Sequence, residues 1–187
     1  MKKGKIVLIS GPSGVGKGTV QNVLLNDAAL NLVFSISMTT RKARAGEENG
    51  VHYYFVTHEE FQANLDRNNF LEHAEFVGNK YGTPKDKVNE LLNAGKNVLI
   101  EIEVEGAKKL LSQVHKKDVV SIYLMPPSFA ELEKRIRGRG TESEELIAGR
   151  LKRAKEELAF KNQYEYHVIN DDVTRTAEEI KEIIENH

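Results

Sequence analysis

The stretch Ile6-Val7-Leu8-Ile9-Ser10-Gly11-Pro12-Ser13-Gly14-Val15-Gly16-Lys17-Gly18-Thr19 constrains this chain more than any other. Its apolar opening reads as a strand buried on both faces. A glycine-rich turn follows, and Lys17 then opens a helical pattern. Glycines let main-chain N–H groups converge on phosphate oxygens, and a helix N-terminus adds partial positive charge. Lys17 is placed to neutralise β- and γ-phosphates. The spacing from Gly11 to Gly16-Lys17 fits the P-loop pattern, with one departure. The position after the lysine, normally Ser or Thr, is Gly18, and Thr19 follows. Gly18 offers no side-chain oxygen to a metal, so Mg²⁺ is expected to be held by phosphates and water, with Thr19 assisting. The expected ATP cradle is therefore Gly11, Pro12, Ser13, Gly14, Val15, Gly16, Lys17, Gly18 and Thr19.

Totals narrow the function classes. A length of 187 residues suits one domain with a small insert. The net charge of −1 favours neither nucleic acid nor an anionic membrane as partner. The absence of cysteine excludes disulfides, thiolate zinc sites and cysteine nucleophiles. His52, His58, His73, His115, His167 and His187 are dispersed without metal-ligand spacing. No serine sits in a nucleophile elbow, and no apolar run reaches membrane-spanning length. Met1-Lys2-Lys3 leads straight towards a strand, without an apolar leader segment, so a cytoplasmic location is expected.

Along the chain, a helical stripe through Val20, Val23, Leu24 and Leu25 ends near Asn26-Asp27. Residues 32–38 read as a strand, 39–50 as a polar connection closed by Asn49-Gly50, and 52–56 as a second short strand. Thr57 and Glu60 form a capping box. Residues 70–77 alternate like a half-exposed strand, 78–82 read as a turn, and Thr83-Pro84 start a helix with Pro84 in its first position. Strands follow at 97–102, 119–125 and 166–169, separated by helical stripes. Ser128 with Glu131, and Thr141 with Glu144, are expected helix caps. The second pair opens a long helix with Leu146, Ile147, Leu151, Ala154 and Leu158 facing the core. The pattern predicts an α/β fold: a parallel sheet of P-loop NTPase type flanked by helices, with a core at about 1–33 and 84–187. A strand-rich block at about 34–83 breaks the alternation and reads as an inserted subdomain.

Arg41 and Arg44 lie in one polar loop, with Tyr53 and Tyr81 downstream. Two guanidinium forks with phenol hydroxyls make a cradle for a monophosphate. Alone, the two arginines would favour a solvated basic surface; a phosphate-transferring P-loop protein, however, needs a second anionic substrate nearby. Glu101 closes an apolar strand as a Walker-B acid does, and is assigned to Mg²⁺ through water or to orienting Lys17.

Residues 35–53, Ser35-Ile36-Ser37-Met38-Thr39-Thr40-Arg41-Lys42-Ala43-Arg44-Ala45-Gly46-Glu47-Glu48-Asn49-Gly50-Val51-His52-Tyr53, resemble the signature of guanylate kinases. So do Gly78-Asn79-Lys80-Tyr81-Gly82-Thr83 and Gly138-Arg139-Gly140-Thr141-Glu142, in family order and spacing. The resemblance runs from the P-loop to Asn170-Asp171-Asp172. It implies conversion of ATP and GMP to ADP and GDP, and makes the inserted block the nucleotide-monophosphate-binding subdomain. It places the GMP phosphate on Arg41, Arg44, Tyr53 and Tyr81, and guanine on Ser37, Glu72, Thr83 and Glu103. Arg135, Arg139 and Arg150 match lid and phosphate-binding arginines, with a lid at about 137–150. Asn170 matches a residue of the adenine pocket. Two positions depart from the family pattern: Glu103 where Asp is usual, and Glu105, read as a surface acid, where Gln is usual. Arg137 and Arg153 have no counterpart role and read as surface.

The implied chemistry is direct in-line transfer, with Mg²⁺, Lys17, Arg41, Arg44, Arg135, Arg139 and Arg150 offsetting the charge of two polyanions. Two other readings compete. Another nucleoside monophosphate kinase, for AMP or a pyrimidine nucleotide, draws support from Gly18-Thr19, which resembles adenylate kinases; Glu72 and Thr83 oppose it. A non-catalytic guanylate-kinase-like module for phosphorylated peptides is opposed by the intact P-loop and Lys17. The expected partners are ATP and GMP, with the chain a monomer or homodimer.

Overall fold

The computed structural model of this chain describes residues 3–138 and 143–187. The chain runs β1 (Ile6–Ser10), α1 (Lys17–Leu25), β2 (Leu32–Phe34), β3 (Met38–Thr39), β4 (Tyr54–Phe55), α2 (His58–Asp66), β5 (Phe70–Phe76) and β6 (Asn79–Pro84). It continues through α3 (Lys85–Asn93), β7 (Asn97–Ile100), α4 (Val104–Gln113), β8 (Val119–Met125), α5 (Phe129–Arg137), α6 (Glu144–Leu158), β9 (Tyr166–Ile169) and α7 (Val173–Asn186). Among the described residues, strands form two sheets. One is parallel, in the order β2-β7-β1-β8-β9. The other is smaller and mixed, in the order β4-β3-β6-β5, with β3 parallel to β4 and the remaining pairs antiparallel.

Every residue of β1 is buried, as its unbroken apolar run requires of a central parallel strand. Alternate side chains point to opposite faces. Val7 and Ile9 join Val20 and Leu24 of α1 and Ile180 of α7. Ile6 and Leu8 join Val88 and Leu92 of α3 and Leu110 of α4. Burying both faces with helices fixes where β1 ends, and so places the glycine-rich loop at the carboxyl edge of the sheet, where open α/β sheets bind ligands.

Several local readings are corrected. The expected strand 32–38 is two strands in different sheets. Ser35 N still donates to Leu99 O in the large sheet, at 2.8 Å, whereas Ser37 O already accepts from Tyr54 N in the small one, at 2.9 Å. The apolar rhythm is continuous, but the chain changes sheets beneath it. The expected turn 78–82 is mostly β6. Only Val77 and Gly78, with φ of 48° and 72°, form the hairpin tip. Gly82 is in β6, where a Cβ would stand 2.7 Å from the Phe70 ring, so this glycine marks a close approach rather than a turn. Pro84 has extended backbone opposite Phe70, so α3 opens one residue later than expected, at Lys85. The shorter strands β4 and β7 end at Phe55 and Ile100. Ser143 caps α6 by accepting from Leu146 N; Thr141 lies outside the described residues. Leu146 is 61% exposed and faces away from the core that Ile147 and Ala154 enter. The Thr57–Glu60 capping box is formed in both directions.

Candidate functional site

The glycine-rich loop connects β1 to α1 and is braced from three elements. Asn170, buried just after β9, donates its Nδ2 to Val15 O at 2.7 Å. Arg135 on α5 donates Nη1 to Asn170 O at 3.0 Å and to Val15 O at 3.3 Å. From α6, Arg150 Nη2 donates to Ser13 Oγ at 3.0 Å, and Glu157 Oε2 accepts from Ser13 N at 3.2 Å. Gly16, with φ of 99°, precedes α1; a Cβ here would meet Asn170 Nδ2 at 2.6 Å. No side chain caps the first turn of α1 and no acid lies within it. This electropositive helix start is therefore not neutralised by the helix's own residues.

Lys17 folds back over the loop, its Nζ donating to Gly11 O at 2.7 Å and to Pro12 O at 3.4 Å. Burial lowers its pKa, while the carboxylates of Glu101, Glu157 and Glu103 pull the other way. These groups line a cleft of about 570 Å³ between the two sheets. Ser13, Lys17, Ser37, Tyr53, Glu101, Glu103 and Arg150, all named from the sequence, meet there. Arg153, read as surface, also lines the cleft; it bonds Glu103 Oε2 at 2.7 Å and Glu157 Oε1 at 3.1 Å. Glu157 itself went unsingled in the sequence. Its only available signal was its place two helical turns beyond Arg150, on the same face of α6.

The small sheet carries the remaining candidates. Arg41 lies over Tyr53 at 5.4 Å and over Phe55 at 5.7 Å, and its guanidinium is held bidentately by Glu47 at 2.9 Å. Glu47 also accepts from Arg44 N at 2.7 Å; Arg41 and this backbone bond hold its carboxyl down at about 2. Tyr81 meets Tyr53 edge-on, with ring centroids 6.2 Å apart. The Arg44 side chain is exposed at the rim of this loop. Glu72 on β5 and Thr83 on β6 are both buried, and Thr83 Oγ1 donates to Glu72 Oε1 at 2.7 Å. Burial raises the Glu72 pKa; the Thr83 bond and the charge of Lys109 oppose that rise. Glu105 pairs with Lys108, and Arg137 with Glu133 and Glu144, on exposed helix faces. Arg139, and with it part of the expected lid, lies outside the described residues.

The fit to Mg²⁺ follows from the donors. Among the described residues, no cluster of three or more acids or histidines cages a metal. Mg²⁺ needs only one or two protein oxygens when substrate phosphates and water complete its shell. Thr19 on the first turn of α1 and Glu101 in the cleft are both exposed and provide such oxygens.

A phosphate-suited loop at the end of a central parallel strand, facing a small mixed sheet across a polar cleft, defines the class of P-loop nucleotide-binding kinases. The sequence pattern of the guanylate kinase family matches residues 3–187. This chain belongs to the guanylate kinase family. It is 48% identical over 183 residues to the guanylate kinase of Malacoplasma penetrans, covering 98% of this chain and 93% of that relative. It is 51% identical over 182 residues to that of Mesoplasma florum, where 97% of this chain spans 61% of the relative's length. A crystal structure of guanylate kinase from Anaplasma phagocytophilum superposes with a TM-score of 0.73 at 36% identity, covering all of this chain and 87% of that one. Among the described residues, no helix is long and apolar enough to cross a membrane.

Proposed function

We propose that this chain transfers the γ-phosphoryl group of ATP to GMP, giving ADP and GDP. The observation that carries the choice of GMP is the buried Glu72 carboxylate, tied to Thr83 on the sheet across the cleft from the P-loop. Guanine presents N1–H and an exocyclic amine, both donors, to which a carboxylate is complementary. Adenine presents a lone pair at N1, which would face the free carboxylate oxygen lone pair to lone pair and leave both without a donor. A mismatch of this kind is worth on the order of 10⁴-fold in discrimination. Ser37 and Glu103 both line the cleft and complete the base site in this reading.

In this account, loop amides and Lys17 hold the ATP phosphates, while Arg41, Arg44, Tyr53 and Tyr81 hold the GMP phosphate. That phosphate is already anionic and needs no covalent enzyme intermediate. Lys17, Arg135 and Arg150 stabilise charge on the transferring group. Thr19 and Glu101 would hold Mg²⁺, which neutralises phosphate charge when bound. Asn170 keeps the loop in shape behind the adenine side.

A coupled assay of ADP release with GMP, AMP, dTMP and UMP as acceptors tests the proposal. Turnover with GMP at least 10³-fold above the others is expected from the mismatch argument. Preference for another monophosphate would refute it. Absence of turnover with retained phosphopeptide binding would replace it with a binding module.

A further inference from the structure

β5 is an edge strand of the small sheet, so its outward carbonyls need donors from outside the sheet. Helix α4 provides them. Lys109 Nζ donates to His73 O at 3.0 Å, and Gln113 Nε2 donates to Leu71 O at 2.9 Å. The two periods nearly match: four helical residues rise about 6 Å, and two strand residues about 6.6 Å. Donors at i and i+4 can therefore meet alternate carbonyls of an extended chain. The residue between those two carbonyls is Glu72.

Two further observations point to the same residue. The β5–β6 register shifts between Phe70 and Glu72, so Leu71, next to Glu72, drops out of the β6 register at the point where Gln113 takes its carbonyl. Gly106, on the same stripe of α4 as Lys109, leaves room for the carboxylate: a Cβ here would stand 3.0 Å from Glu72 Oε2. The helix thus holds the backbone on both sides of Glu72 and leaves a space for its head.

We propose that Lys109 and Gln113 are positioning residues that fix Glu72 against guanine, and so set discrimination for the 2-amino group of the acceptor base. The inference rests on Glu72 as the base-reading carboxylate. Charge acts in the same direction, since the Lys109 ammonium favours the ionised form of a carboxyl that burial would neutralise. Lys109 and Gln113 are exposed, so their substitution leaves the core intact.

The test compares kcat/KM for GMP and for inosine monophosphate, which lacks the 2-amino group, in Lys109→Met, Gln113→Ala, the double variant and Glu72→Gln. In the double variant, KM for GMP is expected to rise about tenfold, within what a misplacement of up to 1 Å costs. KM for inosine monophosphate should move less, so the ratio between the two substrates falls, while KM for ATP and kcat at saturating GMP hold. Lys109→Arg should restore most of the ratio in the single variant. If the double variant lowers both substrates equally or neither, while Glu72→Gln abolishes the preference, the clasp is structural only and the proposal fails. If Glu72→Gln itself leaves the ratio unchanged, Glu72 does not read the base, and the functional reading fails with it.

Discussion

Thr83 Oγ1 donates to Glu72 Oε1 at 2.7 Å across directly paired residues of β6 and β5. The bond gives a buried carboxylate one fixed partner and leaves its other oxygen towards the space above Gly106. Burial still raises the Glu72 pKa above its ordinary 4.5. A folded-state pKa raised in this way means that the native state binds more protons. The stability from the neutral carboxyl is complete below 4.5 and is lost as pH rises through the raised value. Glu72→Gln keeps the shape without the charge. It is expected to unfold at a higher temperature than wild type at neutral pH, with the gain vanishing near about pH 4, and to lose GMP use. Thermal unfolding at the two pH values, beside GMP kinetics, checks both halves.

Lys17→Met is expected to lower kcat on the order of 10²- to 10³-fold, as for a lost charge-stabilising donor. The fold should persist, because the contacts given up are to two loop carbonyls, Gly11 O and Pro12 O. Steady-state kinetics and circular dichroism measure this; near-normal turnover would remove Lys17 from the chemistry.

Asn170 separates a structural role from an adenine contact. Its Nδ2 is spent on Val15 O, in the buried interior behind the loop. Asn170→Ala leaves that carbonyl with the longer Arg135 bond in place of two donors, and should cost about 1 kcal/mol of stability without any nucleotide present. Chemical denaturation of the unliganded protein gives the number; an unchanged midpoint would assign Asn170 to ligand contact alone.

Glu47 holds Arg41 bidentately beside Tyr53 and stays ionised to about pH 2. A guanidinium fixed in this plane is pre-organised for a phosphate. Glu47→Gln weakens the fork, and is expected to raise KM for GMP several-fold with little change in KM for ATP. Equal effects on both substrates would point to a folding defect instead.

What the sequence revealed depended on whether the signal was local. The P-loop was legible because glycines, lysine and a buried strand lie within fourteen contiguous positions. The Thr57–Glu60 box was legible for the same reason, since both of its bonds lie within one turn. The change of sheet between Phe34 and Met38 was hidden, because apolar alternation continues through it. Gly82 misled, since a glycine needed for close approach to Phe70 looks in sequence like a glycine needed for a turn. Arg153 and Glu157 were hidden because their partners, Glu103 and Ser13, are brought to them only by the packing of α6.

The most direct test is a crystal structure with GMP and a non-hydrolysable ATP analogue bound together. The account expects guanine against Glu72 and Thr83, the GMP phosphate within the Arg41–Arg44 loop, and the triphosphate wrapped by the loop at Gly11 to Lys17. GMP bound away from Glu72, or an Arg41–Arg44 loop turned into solvent with both ligands present, would contradict it.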